Sequence, residues 1–238
     1  AKELFFNFPA MAAPFSALDK LFTGKNGKSA AAARTLSDLV FPISVFDDEE
    51  LVAQQAQLQL TENVQPAIGG ISAGLLRIAR DAGLQIDFAA GHSFGELTAL
   101  WAAGVIAEDD YYKLAYARGQ AMAAPDDPDF DAGSMLAVMG EVEKLEEDLT
   151  EFPDVVMANL NSKKQVVLAG PTADILQAHD ALKEKKYTVV KLPVSAAFHT
   201  PLVGHAQKPF AKAIRSVKFN KPQIPVYSNA TAKAYPVT

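Results

Sequence analysis

Gly91-His92-Ser93-Phe94-Gly95 is the stretch of this sequence whose residue types and spacing can do chemistry. It has the pattern G-x-S-x-G. A short apolar run from Ile86 precedes it and a small-residue segment, Glu96 to Gly104, follows, so the order predicts strand, tight turn and helix. A turn of this kind pushes the serine hydroxyl out of the end of a sheet, and the two flanking glycines are expected to remove Cβ atoms that would clash. The start of the helix then aims backbone N–H groups, beginning with that of Phe94, at a developing oxyanion. The chemistry is nucleophilic catalysis by Ser93; a serine that merely caps the helix is the alternative.

A serine nucleophile needs a base, and the chain has four histidines and no cysteine. His92 adjoins Ser93, so its side chain is expected to point away from Oγ. His179 sits in a polar helical stretch, as a surface residue. His205 falls inside a predicted helix. His199 stands ahead of Thr200-Pro201 at a loop-to-helix transition, and elimination leaves it as the base. His199 and His205 bring no further ligand pattern with them, so no metal site is expected.

The elements that must position these residues fit into 238 residues, enough for one large domain or a domain carrying an insert. The lack of cysteine excludes a disulfide scaffold, a cysteine zinc site, an iron–sulfur centre and a thiol nucleophile. Lys and Arg number 22 against 28 Asp and Glu, a net charge of −6, which gives no basic stripe for nucleic acid. The most apolar stretch, 86–107, contains Asp87, His92, Ser93 and Glu96, which a membrane span would avoid. No export-signal pattern opens the chain and no Met begins it, so a piece of a longer, cytoplasmic protein is expected.

Helices are predicted over 15–22 and 49–60. Another starts near Pro66, runs to Arg80 and is closed by Gly83, and a further one covers 109–122. Residues 124–131, rich in Pro and Asp, read as a solvated linker; they resemble a calcium loop but lack its Gly and Glu. Gly24 to Ser29 suggests a phosphate loop without the required first Gly and is expected to be a surface loop. From Gly133 the segments alternate: strand 135–139, helix 141–152, strands 155–159 and 166–169, helix 173–185, strand 188–192. That order, β-α-β-β-α-β, is the ferredoxin-like unit. The fold class is therefore α/β, with a larger hydrolase-like body with a mainly parallel sheet (1–131 and 194–238) and an inserted ferredoxin-like subdomain (132–193). A helix through Val217 and a strand at 225–228 complete the body.

Taken together, Gly-His-Ser93-Phe-Gly-Glu, Tyr-Ala-Arg118-Gly-Gln-Ala-Met, Val-Val-Leu-Ala-Gly170 and Ala-Phe-His199-Thr-Pro-Leu resemble the malonyl-CoA:acyl-carrier-protein acyltransferase family, the acyltransferase domains of fatty-acid and polyketide synthases. The longer strings around Ser93 and His199 are most similar to the acyltransferase domain of bacterial polyunsaturated-fatty-acid synthases. The resemblance implies that Ser93 attacks malonyl-CoA while His199 takes its proton. The malonyl-Ser93 ester then passes to the phosphopantetheine thiol of an acyl carrier protein, in a ping-pong cycle that uses no cofactor bound by the domain. It implies Arg118 as the clamp on the malonyl carboxylate, a role suited to a planar, bidentate donor. It implies Phe198 as a residue filling the space of an α-methyl branch, and places His92, Gln65 and Asn161 beside the substrate. Neighbouring synthase domains, such as a ketosynthase, are the implied companions.

Members of that family open with a strand and a Gly-Gln-Gly-Ser-Gln loop whose Gln supplies a second oxyanion amide, and end with a further strand. This chain starts and stops short of both, and loss of one such donor lowers turnover by ~10²–10³. A serine esterase or thioesterase on the same elbow, and a truncated domain that only docks carrier protein, are the competing readings.

Overall fold

A computed structural model describes residues 2–23 and 34–236. Along the chain come α1 (Lys2–Asn7), α2 (Pro9–Thr23), α3 (Leu36–Val40), α4 (Asp48–Gln59) and α5 (Thr61–Asp81). They are followed by β1 (Ala89–Ala90), α6 (Gly95–Ala102), α7 (Glu108–Met122) and β2 (Ser134–Met139). Then come α8 (Val142–Asp148), β3 (Val156–Ser162), β4 (Gln165–Gly170), α9 (Thr172–Glu184) and β5 (Thr188–Lys191). A 3-10 helix (Pro201–Ala206), α10 (Gln207–Arg215) and β6 (Val226–Tyr227) close the chain. The stretch from Gly24 to Ser29, expected as a loop, lies outside the described residues.

The chain divides into two compact units. The larger comprises Ala1–Leu58, Glu62–Ala121 and Lys208–Thr238. Met11, Phe15, Leu18 and Phe22 recur at helical spacing on α2 and are buried in its core. The backbone of α5 comes close to this face. A Cβ at Gly70 would stand 3.2 Å from Leu18 Cδ1 and Phe15 Cζ, and one at Gly74 would stand 2.9 Å from Met11 Cα. α5 ends at Gly83, whose φ of 88° lets Leu84 N–H return to the Ala79 carbonyl at 2.9 Å. The parallel sheet of this unit is a single pair among the described residues, β1 with β6, in the register Ala89–Val226 and Ala90–Tyr227.

Two expectations for the larger body are corrected, the second at a 3-10 turn that falls in the smaller unit. α5 begins at Thr61 rather than near Pro66, which therefore lies inside the helix. Its ring withholds the N–H that would have bonded the Glu62 carbonyl. α7 approaches at that interruption: a Cβ at Gly119 would stand 3.1 Å from both Glu62 O and Pro66 Cδ. The segment leading to residue 217 is not one helix but the 3-10 turn followed by α10, which stops at Arg215, so His205 is in the 3-10 turn.

The smaller unit is Gln59–Thr61 with Met122–Gln207, so it takes in 122–131 and 194–207 besides the expected 132–193. Its elements run β2, α8, β3, β4, α9, β5, and the sheet order is β3-β4-β2-β5 with every pair antiparallel. Alternation along the strands separates two faces. Leu136, Val138, Val166 and Leu168 pack with Leu145, Ile175, Ala178 and Leu182 of the two helices, while Met135, Val167 and Ala169 meet Ala197, Phe198 and Leu202 on the other side.

Asp131, expected in a solvated linker, is a structural residue. Its carboxylate accepts from Thr172 N at 2.8 Å, Thr172 Oγ1 at 2.7 Å and Gly133 N at 2.9 Å. It thereby caps α9, whose own N-cap position is Pro171. These bonds hold the Asp131 carboxyl below the usual carboxylate range.

Candidate active site

β1, the turn through residues 91–94 and α6 form the expected elbow, and its backbone explains its residue types. Ser93 has φ of 53°, the left-handed region that a side chain enters at a strain of ~1–2 kcal/mol. The turn is closed by Gly95 N–H to His92 C=O at 2.9 Å, Glu96 N–H to Ser93 C=O at 3.1 Å and Leu97 N–H to Phe94 C=O at 3.0 Å. The Phe94 N–H takes no part in these three bonds. A Cβ on Gly91 would run into the Gly95 carbonyl and Glu96 N, so glycine is obligatory there. Gly95 departs from expectation, because a Cβ there would meet nothing within 4 Å. The N-cap position of α6 is Phe94, which makes no side-chain cap bond of its own.

Arg118 comes to the same place from α7. Its guanidinium carbon lies 5.7 Å from the centre of the Phe94 ring, and Nη1 donates to Oε1 of Gln65, a buried residue of α5. Burial pulls the Arg118 guanidinium below its usual range, and the Glu96 carboxylate opposes this. Gln65, Phe94 and Arg118 are thus brought together beside Ser93 on the elbow. His92 is exposed in the turn.

A buried hub holds the three helices that carry this cluster, and nothing in the sequence pattern announces it. The Tyr111 hydroxyl, on α7, donates to the Gly69 carbonyl of α5 at 3.1 Å and lies 3.0 Å from Thr98 Oγ1 of α6. Tyr111 is fully buried and stacks on Trp101 at 5.0 Å; burial pushes its hydroxyl up to about 12. The Arg77–Glu108 ion pair, with the Tyr112 hydroxyl on Glu108 at 2.6 Å, ties α5 to α7 again.

The remaining predicted residues belong to the smaller unit. His199 is exposed and has φ of 64°. A tight loop holds it there: Thr200 Oγ1 donates to the Ala197 carbonyl at 2.7 Å and accepts from Leu202 N at 3.2 Å, and Ala197 N–H reaches the Ala132 carbonyl at 2.7 Å. Phe198 packs half-buried on Met135, Val167 and Ala169. His205 is engaged elsewhere, with Nε2 3.0 Å from the Ala123 carbonyl and its ring edge-on to Phe130. His179 pairs with Asp180 at 2.8 Å on the surface.

Asn161 lies exposed at the hairpin end of β3, where Ser162 pairs with Gln165. Asn159 is the residue level with Val167, on the sheet face that carries Phe198, because a register shift between Met157 and Asn159 turns that part of β3. Strand alternation in the sequence does not reveal such a bulge. Among the described residues there is no group of three or more His, Cys, Asp or Glu placed to hold a metal ion, and no helix is long and apolar enough to cross a membrane.

Residues 10–235 match the family described as the acyl transferase domain. The chain is 32% identical over 238 residues to a polyunsaturated fatty acid synthase subunit from Thraustochytrium sp., covering 98% of this chain and 8% of that protein. It is 36% identical over 183 residues to a malonyl CoA-acyl carrier protein transacylase of Synechocystis sp., covering 76% of this chain and 60% of that protein. It thus spans less than two thirds of each. Among solved structures, a malonyl-transacylase in complex with its type II polyketide-synthase acyl-carrier protein matches with a TM-score of 0.77 at 28% identity, over 98% of this chain and 70% of the other.

Proposed function

As this chain belongs to the acyl transferase domain family, we propose that it moves a malonyl group from malonyl-CoA, through an ester on Ser93, to the phosphopantetheine thiol of an acyl carrier protein. The observation that carries this reading is the placement of Arg118, a half-buried cation, against the residue next to a strained serine. Gln65 takes only Nη1, so further guanidinium donors are left with which Arg118 can pair a malonyl carboxylate.

In the proposed cycle Ser93 Oγ attacks the thioester carbonyl while His199 takes its proton. The Phe94 N–H stabilises the oxyanion. The tetrahedral intermediate collapses with loss of the CoA sulfur, which receives the proton from His199, and the malonyl-Ser93 ester remains. The carrier thiol then attacks that ester, His199 taking the thiol proton and passing it to Ser93 Oγ as the ester bond breaks, which frees the serine and restores the neutral histidine. Arg118 holds the malonyl carboxylate in both halves, with Gln65 occupying Nη1 and His92 at the mouth of the elbow. Phe198 excludes an α-methyl branch. Register favours Asn159 over Asn161 as the asparagine beside the substrate. No bound cofactor enters the chemistry. The larger unit is read as a hydrolase-like body and the smaller, from its element order and antiparallel sheet, as a ferredoxin-like subdomain. The partner is a carrier protein, in the company of further synthase domains such as a ketosynthase, and the CoA donor sets the reaction in the cytoplasm.

The test is the fate of the acyl group. After loading from malonyl-CoA, the chain is expected to release malonyl to added holo carrier protein much faster than to water. Release as free malonate at a rate indifferent to carrier would make it an esterase, and carrier binding with no acyl-serine would make it a docking domain.

A further inference from the structure

Arg118 is gripped by groups of three kinds. Gln65 accepts from Nη1, Glu96 supplies an opposing charge, and the Phe94 ring lies against the guanidinium with its centre 5.7 Å from the central carbon. That separation is within the ~6 Å at which the negative face of an aromatic ring attracts a cation. The ring itself cannot retreat. Phe94 is buried, and its Cζ sits 3.0 Å from where a Cβ would be on Gly69, a residue whose carbonyl the Tyr111 hydroxyl holds in place.

We propose that the Phe94 side chain is the positioning residue for Arg118, so that the residue after the nucleophile sets the enzyme's preference for a carboxylate-bearing acyl group. This rests on the acyl-transfer reading above and adds a cause for its specificity. The backbone N–H of residue 94 faces the thioester end of the substrate in that reading, while its ring holds the cation that meets the carboxylate end. One residue therefore gauges the distance between the two ends of a malonyl group. A displacement of the elbow carries the clamp with it, and the remaining guanidinium donors keep a fixed direction, because Gln65 has claimed Nη1.

The experiment replaces Phe94 with 3,5-difluorophenylalanine, which keeps the ring's shape and its para position while weakening its negative face, and separately makes Phe94→Leu. The full chain is exposed to an equal mixture of malonyl-CoA and acetyl-CoA, and the ratio of the two acyl groups on Ser93 is read by mass. KM for malonyl-CoA is measured alongside. The malonyl preference is expected to fall about threefold with the fluorinated ring and about tenfold with Leu, through a higher KM for malonyl-CoA. An unchanged ratio in the fluorinated chain overturns the proposal, even if Phe94→Leu lowers it, since shape alone would then account for the Leu effect. A wild-type chain that takes no malonyl on Ser93 sinks the acyl-transfer reading instead.

Discussion

The two glycines of the elbow look equivalent in the sequence and are not. Gly91 faces the backbone of Gly95 and Glu96, and Gly95 faces open space. Gly91→Ala is therefore expected to destabilise the chain by about 3 kcal/mol and to disorder the Ser93 turn, as forced overpacking does. Gly95→Ala should stay within about 0.5 kcal/mol of wild type. Urea unfolding of the two variants checks this, and equal losses would contradict the asymmetry. Arg118 carries the second prediction at this scale. Loss of its charge-assisted bonds, at ~1.5–3 kcal/mol each, should lower the preference for malonyl-CoA over acetyl-CoA by about 10- to 100-fold in Arg118→Ala. Competition between the two donors measures it, and an unaltered preference would remove Arg118 from the carboxylate.

Asp131 shows how an element depends on a distant side chain. Its carboxyl is depressed in the folded chain by bonds from Thr172 and Gly133, so its stabilising effect is fully present above the unfolded value near ~3.9 and is lost as pH falls through the lower folded value. The urea midpoints of wild type and Asp131→Asn should differ at neutral pH and converge as pH falls below ~3.9 through the depressed folded value; a gap that persists below that value would assign the effect to shape rather than charge. Strand, turn and helix around Ser93 were legible because apolar runs, small residues and glycines mark them locally, and so was the alternation from Ser134 to Lys191. The cap from Asp131, the bulge that brings Asn159 level with Val167, and the Tyr111 hub were not, since each depends on residues far apart in sequence. Pro66 misled for a related reason: proline is a good first-turn residue, and here α7 packs where its missing bond interrupts α5.

At the scale of the whole molecule, the chain holds two units, each with its own core, and the serine and histidine proposed to work together belong to different ones. Both occupy left-handed backbone, a strained conformation that surrounding structure must enforce, and in each case a short hydrogen-bonded turn encloses the residue. Charge and composition argue against whole classes of function, and in the proposed reading the cluster of Gln65, Phe94 and Arg118 receives an acyl group with a negative tail. In the proposed reaction Ser93 takes that group from CoA. Intact-mass analysis with peptide mapping after exposure to malonyl-CoA should find one malonyl group, on Ser93, and none in Ser93→Ala. No adduct on the wild-type chain, or an adduct that persists in Ser93→Ala, would contradict it.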